Sequence, residues 1–222
     1  MNVEQILFEV SDALRVPVLV LALVALAVTV VEAGALMAEL RRRRGRSLWQ
    51  LDQAIAACQG QLAAGRPTEA LAALLPIARN PAMEEVLGEV VASVGGPAAE
   101  PRIAKQLAEY DYRSLRRLER TRILVRMGPA LGLMGTLIPL SPALAGLADG
   151  DVATLTENLR VAFGVTVAGL LIGAVAFAIS LIRDRLYAQD YSDVEYVVAR
   201  LTLTPAASNG AGAPHSHWAV AP

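Results

Sequence analysis

Two threonines in apolar surroundings carry the most suggestive chemistry in the chain. Thr136 lies in GPALGLMGTLIPLSPALAGL (residues 128–147) and Thr166 in AFGVTVAGLLIGA (162–174). A hydroxyl donates to a carboxylate, accepts from a protonated acid or water, or ligates a small cation, without the penalty of a buried charge. The backbone around Thr136 is broken: Pro139 has no N–H for the carbonyl of Gly135, and Pro142 has none for that of Ile138. Such carbonyls are expensive in hydrocarbon, so the broken face is expected to look toward protein, a hydroxyl or water. Gly132, Thr136, Pro139 and Ala143 recur at three- and four-residue spacing and share that face, a candidate pore lining. In the second stretch Thr166, Gly173 and Ser180 are seven residues apart on one face, with Gly169 beside it. A plainer reading stays open. A lone threonine in a membrane helix bonds its own backbone, and the pairs Gly128/Gly132 and Gly169/Gly173 are small-xxx-small steps that let helices pack closely.

Other chemistries find no support. No phosphate-cradling glycine loop, metal-ligand cluster or nucleophile with a partnered base can be assembled, so no enzyme, cofactor or metal site is expected. His215 and His217 stand in a Gly/Pro/Ala-rich tail and read as solvated residues. A single cysteine, Cys58, excludes an internal disulfide and reads as a small apolar filler. The run RRRRGR at 41–46 follows an apolar stretch directly, the position of a topology anchor and anionic-lipid contact rather than a nucleic-acid site.

The elements that must hold the threonines are membrane helices. Of 222 residues 55% are hydrophobic and the mean hydropathy is +0.45, too apolar for an ordinary soluble domain. Residues 16–38 form a first span with one charge, Glu32; 127–148 and 161–182 form a second and third with none. Each of these two would extend about 33 Å as helix across about 30 Å of hydrocarbon. Arginines after the first span, before the second (Arg113 to Arg126) and after the third (Arg183, Arg185) place those ends in the cytoplasm and the amino terminus outside. The acidic connection 149–160, with Asp149, Asp151 and Glu157, then lies outside. Residues 1–15 begin acidic, unlike a secretory signal. They read as an external amphipathic helix, with Ile6, Leu7, Val10 and Leu14 opposite Glu4, Glu9 and Asp12, or as a frayed end. Residues 39–126 form a cytoplasmic helical region broken at Pro- and Gly-containing points, and 183–204 a cytoplasmic helix. Both are extensions of the spans that build a bundle, while 205–222 read as a disordered tail. The fold class expected is an all-α integral membrane protein. Glu32 is either a second ionisable site or a group that snorkels or pairs near Arg41 to Arg44.

GPALGLMGTL, a short acidic loop and AFGVTVAGLLIGA together resemble the second and third membrane helices of the MotA/TolQ/ExbB proton-channel family. The topology and the large insertion after the first span are similar too. The resemblance implies an inner-membrane homo-oligomer of five copies around single-span partners of the ExbD/TolR/MotB type, in which ions passing a partner aspartate drive movement. It also implies that Thr136, in GLMGT, and Thr166, in TVAGL, face that aspartate; Gly135, beside Thr136, and Pro139 and Ser180, on the faces of the two threonines, are expected along the path. The spans agree with that division of labour, because the second and third contain no ionisable carrier. The chain departs from the pattern at GAV (173–175), where the family often has AIP. It departs again at Val161, where some members carry a glutamate; Glu157 is the nearest acid. Pro139 and Pro142 are a third departure and imply a divergent branch. If both helices start where assigned, Thr136 lies about 18 Å and Thr166 about 8 Å from the outer side, two levels rather than one ring. The alternative is a non-conducting membrane scaffold that recruits cytoplasmic proteins.

Overall fold

The computed structural model describes residues 3–43, 47–96, 98–148 and 150–202, and all regular structure among them is helical. The tail 205–222 with His215 and His217, the loop residue Asp149, and the arginine run beyond Arg43 lie outside the described residues. The helices are α1 (Val3–Ala13), α2 (Arg15–Arg42), α3 (Leu48–Ala63), α4 (Pro67–Leu74) with a 3-10 turn (Leu75–Ile77), α5 (Pro81–Ser93), α6 (Ala99–Ala148) and α7 (Val152–Thr202). Three of them, the stretch ending in α2, α6 and α7, are long and apolar enough to cross a membrane.

Local chemistry explains the boundaries. Pro17 sits in the first turn of α2, where its missing N–H would have no intrahelical acceptor anyway. Pro67 and Pro81 open α4 and α5, and the Asn80 side chain accepts from Met83 N–H at 2.9 Å. Gly65, at φ 70°, ends α3 where Arg66 N–H returns to the carbonyl of Gln61. In contrast, Pro129, Pro139 and Pro142 lie inside α6 without ending it.

The chain divides into two units. The first, residues 1–46 and 109–191, holds α1, α2 and the apolar parts of α6 and α7. Its buried cluster joins Val18 and Ala25 of α2 to Leu131 of α6 and Ile172 of α7. On α1, Ile6 and Val10 are exposed, as is Leu14 beyond it. The second unit, residues 47–108 and 192–222, buries Ile55 and Cys58 of α3, Leu74 of α4, Met83, Leu87 and Val90 of α5, and Val194 and Val197 of α7. Tyr196 donates to Asp52 at 2.8 Å, and Gln59 to the carbonyl of Arg200 at 2.9 Å. These bonds tie the end of α7 to α3.

The glycine seam and the candidate ion path

Within the first unit α6 and α7 approach backbone to backbone. A methyl group built on Gly169 would lie 2.5 Å from the carbonyl oxygen of Gly128 and 2.7 Å from the α-carbon of Gly132. One on Gly128 would lie 2.7 Å from both Gly169 O and Gly173 N. Gly173 faces the ring of Pro129, and Gly135 faces the Val165 side chain. Such contact is open only to glycine, and in lipid it supplies the dispersion energy that apolar side chains there do not.

The threonines lie at this seam. Thr166, half-buried, places its hydroxyl 3.1 Å from the carbonyl of Ala162 in its own helix and 3.3 Å from that of Gly132 in α6. It has one proton to donate, so the two carbonyls share it. Thr136, also half-buried, donates at 2.8 Å to Leu133 O within α6. It does not donate to the Gly135 carbonyl that Pro139 leaves without a helical donor. No hydrogen bond joins the two hydroxyls among the described residues. Pro139 and Ala143 are fully buried, while Ser180 is half-buried and donates to Phe177 O at 2.9 Å. Glu157 is exposed on α7. Among the described residues no group of three or more His, Cys, Asp or Glu side chains is placed to hold a metal ion.

Glu32 has a partner that sequence reasoning missed. Arg183 of α7 donates to it at 2.5 Å and to the Thr121 hydroxyl of α6 at 3.2 Å. Arg41, nine positions on, lies half a turn round α2 from Glu32 and is exposed, as is Arg42. Arg41 and Arg42 therefore point away from Glu32. Arg43 continues the network, with both terminal nitrogens 2.7 Å from the carboxylate of Asp190 and one 2.7 Å from Glu39. Near the other end of α2, Arg15 donates to the buried Asn158 at 2.8 Å. One signal was present in the sequence: Val18, Ala22, Ala25, Thr29, Glu32, Leu36, Glu39 and Arg43 alternate four- and three-residue steps, a single seam that turns from apolar to charged.

The model of the MotA/TolQ/ExbB proton channel family matches residues 80–195, just over half of the chain. The match includes the glycine seam and both threonines. The chain belongs to this family. As a MotA/TolQ/ExbB protein with three apolar helices it is a multi-pass membrane protein of the proton-channel, energiser type, and its family is one of channels rather than enzymes. Comparison with curated proteins gives no match.

Proposed function

We propose that the chain is the ion-conducting subunit of a membrane energiser: a pentamer in the inner membrane, amino terminus outside. Protons or sodium ions passing a membrane aspartate of a single-span partner drive movement between the two. Thr136 and Thr166 offer their hydroxyls to that aspartate or to the ion, while Gly135, Pro139 and Ser180 shape the path. The observation that carries the reading is the Thr166 hydroxyl. It is half-exposed at the closest approach of α6 and α7, where it reaches carbonyl oxygens of both helices. A hydroxyl held by two shared, long bonds can exchange one of them for a carboxylate or an ion at little cost.

The decisive experiment is ion flux in vesicles containing the chain and its partner. Thr136→Ala and Thr166→Ala should each suppress partner-dependent flux and leave assembly intact; unchanged flux in both removes them from the mechanism. Thr136 bonding its own helix favours the scaffold reading at that position. Native mass spectrometry of the assembly from its host membrane separates the two: five copies with two copies of a single-span partner support the channel. A different oligomer, bound to soluble proteins and passing no ions, supports the scaffold.

A further inference from the structure

The apolar half of the α2 seam does not specify its own register. Val18, Ala22, Ala25 and Thr29 are small and alike, and apart from them residues 18–31 are Val, Leu and Ala on every side. Sliding α2 by a turn along α6 and α7 would exchange one such contact for another. No hydrophobic driving force between helices exists in lipid to oppose that.

The charged half differs. Along the seam the signs alternate: Glu32, Arg183, Glu39, Arg43, Asp190. Arg183 Nη1 meets Glu32, and its Nε lies 3.9 Å from Glu39. Glu39 in turn meets Arg43, which grips Asp190 with both terminal nitrogens. The side chains of Arg183, Arg43 and Asp190 are 9%, 7% and 0% exposed. A one-turn slip would set like charges side by side or leave a buried ion unpaired. The three partner pairs, Arg15 with Asn158, Glu32 with Arg183 and Arg43 with Asp190, advance in the same direction along both helices, so α2 and α7 run parallel. The Nε atoms of Arg43 and Arg183 are buried without a hydrogen-bond acceptor among the described residues.

We propose that Glu32, Glu39 and Arg43 form a charge-coded register lock with Arg183 and Asp190, which sets the depth and rotation of α2 on the α6–α7 pair. Arg183 is its central positioning residue, because it joins all three helices, through Glu32, Thr121 and its own place on α7. In MotA/TolQ/ExbB terms the lock makes the first span move as one body with the helices that carry the threonines. That functional arm rests on the channel reading; the register itself does not.

The test uses the full-length chain in lipid bilayers, with Cys58→Ala and spin labels on Leu21→Cys and Leu181→Cys, both exposed positions and well separated along the helix axes, so that an axial slip changes the distance between them. The labelled protein is diluted with unlabelled protein so that each distance arises within one chain. The distance distribution should be narrow in the parent. A neutral set (Glu32→Gln, Glu39→Gln, Arg43→Met, Arg183→Met, Asp190→Asn) should remain helical but broaden the distribution, with a population displaced by about one turn, about 5.4 Å. An inverted set (Glu32→Arg, Glu39→Arg, Arg43→Glu, Arg183→Glu, Asp190→Arg) keeps the alternation and should restore the parental distance. An unchanged narrow distance in the neutral set overturns the lock. If the neutral set does not fold, the inverted set decides: the parental distance supports the lock and its loss overturns it. Partner-dependent flux should disappear in the neutral set and return in the inverted one. Absence of flux in the parent refutes the channel reading and leaves the distance result standing.

Discussion

Gly169→Ala tests the seam most directly, because the three atoms nearest the new methyl are all backbone. Its Cβ would lie 2.5 Å from Gly128 O, 2.7 Å from Gly132 Cα and 2.8 Å from Gly132 N, and no rotamer change relieves these contacts. Comfortable contact needs about 3.5 Å, so α6 must retreat by about 1 Å. Overpacking of that kind costs about 1–3 kcal/mol. The retreat also stretches the Thr166 to Gly132 bond, now 3.3 Å, and an interhelical hydrogen bond in a membrane is worth about 0.6 kcal/mol. Alanine returns about 1 kcal/mol through its better helix propensity. The expected net loss is about 0.6–2.6 kcal/mol. Gly164→Ala is the control on the same helix, since nothing lies within 4 Å of its added methyl, and it should gain up to about 1 kcal/mol in the single chain. Gly132→Ala, with its nearest atoms at 3.4 Å, should fall between the two. Unfolding in mixed detergent micelles, followed by helical circular dichroism and back-titration, measures all three. If Gly169→Ala is no less stable than Gly164→Ala, the backbone contact is not what holds α6 to α7.

Two further outcomes follow from titratable groups outside the spans. Burial in the second unit pushes the Cys58 thiol above its ordinary value, so less thiolate is present at neutral pH. N-ethylmaleimide should label the native chain much more slowly than the chain unfolded in detergent, and equal rates would show that the α3 to α5 core opens freely. Asp151 accepts from the Thr154 hydroxyl and, at 3.1 Å, from the Thr154 N–H, and these bonds hold its carboxyl below the usual carboxylate range. Its ionised form therefore favours the folded loop above the unfolded value of about 3.9, an advantage lost as pH falls through the lower folded value. Melting curves of the parent and Asp151→Asn, taken between neutral and acid pH, should differ at neutrality and converge in acid; a constant difference would mean that charge plays no part.

Properties set within a few turns of chain could be read from residue order. Long apolar runs between arginine clusters mark three helices able to cross a membrane, and GLMGT and TVAGL carry the family likeness that the match over residues 80–195 establishes. Even α6, which passes through three prolines, remains a helix, because in hydrocarbon the remaining backbone groups have no water to turn to and are satisfied within the helix. Other features depend on which distant groups meet. Residue order left both Glu32 readings open, yet its partner is 151 residues away, reached because the seam of α2 places it opposite Arg183. Small residues at 128, 132, 169 and 173 allow close packing. Only the folded pair decides that Gly169 sits against the Gly128 carbonyl and that Thr166 reaches Gly132. Helix formation and membrane crossing follow from local backbone bonding and summed apolar surface, which a sequence states directly. Partner choice between α2, α6 and α7 follows from rotation and depth, which a nearly uniform apolar helix does not encode until its few charged side chains find their counterparts.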